Sequence, residues 1–139
     1  DRQKYKDMLK GEMGKEVARN ESKKLVHTLG VSGALRAPQA DAVHKYVVEH
    51  SGYPIILCGD FNDNPISYAR RVIAQGLTDC YVATGRGIGL SYNQKGFFVR
   101  IDNMMCSGDF RPYNCKVDNK IDASDHYPIF CWFKMQDKP

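Results

Sequence analysis

Residues 54–65, Pro-Ile-Ile-Leu-Cys-Gly-Asp-Phe-Asn-Asp-Asn-Pro, join a short apolar run to a Gly-Asp-x-Asn turn. A run as continuously apolar as Ile55 to Cys58 is the pattern of a strand covered on both faces of its sheet. It therefore predicts a layered α/β arrangement and leaves Asp60 and Asn62 just past the strand's C-terminal end, where open α/β sheets gather function. The next element reads as a helix: Asn64 can cap it, Pro65 suits its first position, and Ile66, Ala69, Arg70 and Ile73 follow at helical spacing until Gly76.

Upstream, residues 1–30 are rich in Lys and Glu, with apolar positions at helical spacing on either side of a Gly11 to Gly14 break. Gly30 to Gly33 reads as a turn. A second helix follows from Arg36 to His50, with Ala42, Val43, Tyr46 and Val47 on one stripe and Pro38 tolerated in its first turn. Downstream of Leu77 the pattern turns to β: a short segment at Cys80 to Ala83, a glycine-rich loop at Gly85 to Gly89, then strands at Phe97 to Cys106, Tyr113 to Val117 and Pro128 to Met135. There is no internal repeat and no low-complexity tract.

With 139 residues the chain fits one domain and can bury a useful core. Its 42% hydrophobic and 26% charged content argues against disorder and membrane spanning, and no transmembrane segment is predicted. The +4 formal charge suits a polyanionic substrate but also an ordinary solvated surface. Five cysteines, Cys58, Cys80, Cys106, Cys115 and Cys131, lack C-x-x-C spacing and read as buried thiols, neither zinc ligands nor a disulfide frame.

Three polar clusters lie at the tips of apolar runs. In the first, Asp60 can hold a hard cation, and Asn62 can donate to a phosphate oxygen or orient a water; a helix-entry turn with polar caps is the competing reading. In the second, Asp125 and His126 precede the last strand, so Asp125 can meet a metal or a water. His126, with a reference pKa of about 6.5, can serve as base, acid or imidazolium donor. The third is Asp102, set in a strand so apolar that its ionised carboxylate needs a partner. His126 would suit, since a carboxylate fixes a histidine tautomer and raises its pKa; a salt bridge with Arg100 is the alternative.

Gly59-Asp60-Phe61-Asn62, Arg100-Ile101-Asp102-Asn103 and Ser124-Asp125-His126-Tyr127-Pro128, in this order, resemble the endonuclease/exonuclease/phosphatase superfamily, the deoxyribonuclease I-like group. The resemblance implies an α/β (α+β) fold: half of a four-layer α/β-β/α sandwich, with a mixed or antiparallel sheet flanked by helices. It implies a magnesium- or manganese-dependent phosphoesterase in which Asp60, Asn62, Asp102, Asp125 and His126 are catalytic and Asp125 and Asp60 meet the metal. Tyr92 and Asn93 resemble a substrate-side loop. Asn103 stands where relatives more usually carry tyrosine, a change expected to touch packing or substrate contact more than chemistry. Arg36 and Gln39 match an Arg-x-x-Gln helix, with packing as the default role, and His27 fits a family strand motif by spacing but reads locally as the end of an amphipathic helix.

By the same resemblance the chain is the C-terminal part of such a domain, with 1–35 a helical insert or linker and 36–139 the core bearing the three motifs. The missing N-terminal half would bring a metal-binding glutamate, for which no strand-borne equivalent exists here. The fragment alone is then expected to be inactive and to self-associate. Nuclease-like phosphodiester hydrolysis, with nucleic acid among the substrates, is the leading expectation. Phosphomonoester or phospholipid-headgroup hydrolysis and a non-catalytic binding module are the rivals, because such motifs report phosphate chemistry and not the leaving group.

Overall fold

The computed structural model describes residues 14–63, 66–92 and 99–137. The elements are, in order, α1 (Gly14–Glu49), β1 (Ile56–Asp60), α2 (Tyr68–Ile73), β2 (Thr78–Asp79), α3 (Cys80–Thr84), β3 (Asp102–Cys106), β4 (Phe110–Val117) and β5 (Ile129–Met135). The chain divides into two compact units, Asp1–Arg36 and Ala37–Pro139. The first contributes the N-terminal turns of α1, and the second holds every strand among the described residues.

The helix differs from the sequence expectation. α1 runs without a break through Gly30 and Gly33 and carries Pro38 in its interior. A single glycine costs a helix only about 1 kcal/mol relative to alanine, which flanking helix formers such as Ala34 and Leu35 can outweigh, so glycine spacing alone is a weak stop signal. The Asn64–Pro65 start expected for the next helix lies outside the described residues. α2 begins at Tyr68, and Ser67 caps it by accepting the Arg70 N–H at 3.2 Å.

The strand expected at Cys80 to Ala83 is instead α3. Asp79 is its N-cap, accepting the Val82 N–H at 2.9 Å, and this local bond competes successfully with the β preference of Tyr81 and Val82. β3 starts at Asp102, later than expected; residues 93–98 are outside the described set.

β1, β3 and β2 form a three-stranded sheet in the order β1-β3-β2, and β4 pairs with β5; all of these pairings are antiparallel. One cluster of side chains joins Ala40 of α1, Ala69 and Ile73 of α2 and Met105 of β3, with Leu57, Phe61 and Leu77 against it. A second joins Cys80, Tyr81, Cys106 and Cys115 to Met104, Phe110, Val117, Ile129, Cys131 and Phe133. β1 is covered on one side only: Leu57 packs inward while Ile56 is 44% exposed. The expected double burial of this strand does not hold within the described residues.

The cysteines also divide. Cys80, Cys106 and Cys115 are buried, but Cys58 is exposed and Cys131 half-buried, and all five are free thiols. Burial, reinforced by neighbouring Cys131, pushes the Cys115 thiol up to about 12, so it stays protonated and unreactive. No helix of the described residues is long and apolar enough to cross a membrane.

Candidate active site

β1 and β3 place Asp60 directly opposite Asp102. Facing residues of an antiparallel pair share a side of the sheet, so two carboxylates stand together at its edge, and like charges so placed repel. His126, four residues after the β4–β5 turn's Asp122 and three before β5, lies between them. Its Nδ1 is 2.8 Å from Asp102 Oδ2, and its Nε2 is 3.8 Å from Asp60 Oδ2. Since a carboxylate only accepts, Nδ1 carries the proton and donates it to Asp102.

The hydrogen bond to Asp102 is the main reason that the His126 pKa lies above the ordinary imidazole value. Partial burial opposes the rise, and the charges of Asp102, Asp60 and Asp125 add to it. The three side chains remain accessible, at 28% for His126, 34% for Asp60 and 18% for Asp102. That exposure leaves room for a ligand to reach them.

The Asp60 turn is locally fixed. Asn62 adopts a left-handed conformation at φ 48°, which asparagine tolerates better than most residues, and its N–H donates to Asp60 Oδ1 at 2.8 Å. One carboxylate oxygen is thereby held by the turn while the other faces His126. The Phe61 N–H donates to the Ile101 carbonyl at 2.9 Å, tying this turn to the residue before Asp102.

Asp125 sits differently from the other acids. It is exposed, accepts the Ser124 hydroxyl at 3.1 Å, and reaches His126 by charge alone. The potential ligand atoms that lie within 4.8 Å of one another are those of Asp60, Asp102 and His126. Two carboxylates and an imidazole grouped in this way have the donor set to hold an oxygen-preferring divalent cation. Asp102 already engages Nδ1 of the ring, which leaves Nε2 as its only free ligand atom.

Tyr92 forms isolated bridges with both Val99 and His126, and its ring lies 5.2 Å from the imidazole, centroid to centroid, inclined by 57°. It thus borders the group, whereas Asn93 lies outside the described residues. His27 lies within α1, not on a strand. His44 and His50 also belong to the α1 segment and its end, where His50 stacks on Tyr46 at 3.9 Å.

Arg100 does not pair with Asp102. It turns to Asp79 Oδ2 at 3.3 Å and to Asn103 Oδ1 at 3.2 Å, where Arg70 also binds Asp79. Asn103 is 1% exposed and returns a hydrogen bond to the Ile101 carbonyl at 2.9 Å, so its side chain is spent on packing and backbone contacts. Sequence reasoning missed Asp79, which the Asp-x-x-Val cap pattern could have signalled. It placed Ser91 with Tyr92 and Asn93 in the substrate-side loop but gave the serine no role, and no local signal marks its burial.

The sheet edge thus gathers facing carboxylates, a histidine–aspartate pair and an Asx turn. The chain belongs to the endonuclease/exonuclease/phosphatase family, whose model matches residues 15–126. No curated protein matches it. Among solved structures it is similar to an endonuclease/exonuclease/phosphatase family protein from Bacteroides thetaiotaomicron, with TM-score 0.57 and 23% identity over 70% of this chain and 42% of that one. A mannosyl-6-phosphatase from Bacteroides thetaiotaomicron VPI-5482 gives 0.60 and 22%, covering 72% and 46%. A functionally unknown conserved protein from Enterococcus faecalis V583 gives 0.61 and 17%, covering 75% and 46%. At these identities the likeness shows the fold, and the chain spans less than half the length of each of these structures.

Proposed function

We propose that this chain carries the second part of the active site of a divalent-metal-dependent phosphoesterase, cleaving phosphodiesters in the manner of a nuclease. The observation that supports it best is the 2.8 Å His126–Asp102 contact beside the facing Asp60 carboxylate. Asp60, with Asp125 as the nearby exposed acid, would hold the cation, which when bound supplies positive charge against the phosphoryl oxygens. A water attacking phosphorus gives its proton to the Asp60 or Asp125 carboxylate as the bond to the leaving oxygen breaks. His126, whose charged form Asp102 favours, would donate from Nε2 to a phosphoryl oxygen where negative charge grows, and Asn62 would position the reacting groups. Tyr92 and Asn93 are assigned to substrate contact, and 1–35 to an insert or linker ahead of the 36–139 core.

Phosphomonoester hydrolysis is the second reading, favoured by the mannosyl-6-phosphatase among the structural neighbours. Assay of the full-length protein on a DNA duplex, RNA, bis(p-nitrophenyl) phosphate and mannose 6-phosphate, with magnesium or manganese and with chelator, separates the two. Hydrolysis of diesters that is lost on chelation supports the first; turnover of the monoester alone selects the second; no metal-dependent turnover of any of them sinks both. The isolated 139-residue chain is expected to be inactive and to self-associate, sheet packing on sheet. A compact monomer in sedimentation, with robust magnesium-dependent hydrolysis, would contradict that expectation.

A further inference from the structure

Ser91 is 0% exposed, yet it lies one residue before Tyr92, which borders the half-exposed His126. Its hydroxyl oxygen accepts two consecutive backbone N–H groups, from Ile101 at 3.2 Å and Asp102 at 3.1 Å. Its carbonyl accepts the N–H of Tyr127 at 2.7 Å, and its own N–H donates to Val99 at 3.1 Å. The carbonyl of Ile101 in turn accepts the Phe61 N–H. One buried residue is therefore bonded directly to the segment bearing Asp102 and the segment bearing His126, and through one peptide to the turn bearing Asp60.

We propose that Ser91 is a positioning residue that sets the distance between Asp102 and His126 by clamping the entry of β3 to the segment that leads into β5. This rests on the phosphoesterase reading of the site, in which the pair must keep a fixed geometry. The clamp needs an acceptor of hydroxyl size: two N–H groups converging within the interior would otherwise lose a partner, and the backbone would shift to find another. A shift of a few tenths of an ångström in the peptide of Asp102 moves its carboxylate relative to the ring, and catalytic pairs are sensitive to such displacements. Ser91 is buried and bonds to backbone groups of Val99, Ile101, Asp102 and Tyr127, so its effect should appear in turnover and in the hydrogen bond of the pair.

The test uses Ser91→Ala and Ser91→Cys in the full-length protein with labelled histidine. The alanine removes the acceptor; the cysteine keeps the site filled but offers only a weak one. The readouts are the low-field Nδ1–H proton signal of His126 and the separate kcat and KM for bis(p-nitrophenyl) phosphate with magnesium. In both variants the signal is expected to move upfield or broaden, and kcat to fall roughly tenfold while KM changes by less than about twofold. An unchanged signal and kcat in either folded variant, with His126→Ala inactive, would overturn the role of Ser91 and leave the function intact. The reverse pattern, an altered signal while His126→Ala retains full turnover, would support the clamp and remove the phosphoesterase reading.

Discussion

Asp102 and Asn103 are neighbours in β3, and the strand sends them to opposite faces and to different ends. On the Asp102 side stand Asp60 and His126, half-exposed acids and a base whose spacing leaves access from solvent. On the Asn103 side stand Asp79, Arg70 and Arg100, a network in which Asp79, Arg100 and Asn103 are all buried. Both clusters join charged groups across distant segments. Burial separates them: ions removed from water must be fully paired and become structural, while ions at an edge retain freedom to meet a ligand.

The sharpest way to break this contrast is to unpair the buried network. Arg100→Ala leaves Asp79 with less compensation in the interior, and loss of one partner of a buried ion pair costs about 3–5 kcal/mol. Denaturant unfolding of the full-length protein should show that loss. A change under about 1 kcal/mol, the range of exposed pairs, would place Arg100 in the same class as the rim residues.

The complementary change is His126→Ala or Asp60→Ala, which should lower turnover by roughly a hundredfold or more while unfolding free energy stays nearly constant. His44→Ala should leave turnover as it is. Parallel losses in the His126 and His44 variants would show general destabilisation and erase the distinction.

A smaller effect distinguishes the clusters by pH. Burial raises the Asp79 pKa, but the Val82 N–H, Arg70 and Arg100 outweigh it and hold the group below the usual carboxylate range. Its contribution to stability is therefore complete above about pH 3.9, the unfolded value, and is lost as pH falls through the depressed folded value. His126 runs the other way: with a raised pKa, its contribution is complete below about pH 6.5 and is lost as pH rises through the folded value. Exposure and salt make the His126 limb the shallower. Unfolding followed across pH should lose the acid limb in Asp79→Asn and the alkaline limb in Asp102→Asn; an alkaline limb that survives Asp102→Asn would show that Asp102 is not what perturbs His126.

Much of the site was legible because its signals are local. An apolar run ending in Gly-Asp-x-Asn puts Asp60 and Asn62 at a strand end by chain geometry alone, and the cost of an ionised carboxylate in the apolar 97–106 stretch demanded a partner for Asp102. Helix ends were legible in principle, at Ser67 and Asp79, but cap chemistry competes with β propensity and the choice at Cys80 to Ala83 went to the cap. The sequence alone could not assign Arg100 to Asp79 in place of Asp102, set Asp60 opposite Asp102, expose Cys58, or make buried Ser91 the acceptor for two peptide groups. Each of those depends on strand register and on which face is covered. Propensity and periodicity act over a few residues, whereas a partner 10 to 42 residues away is chosen by the packing of the whole sheet against its helices.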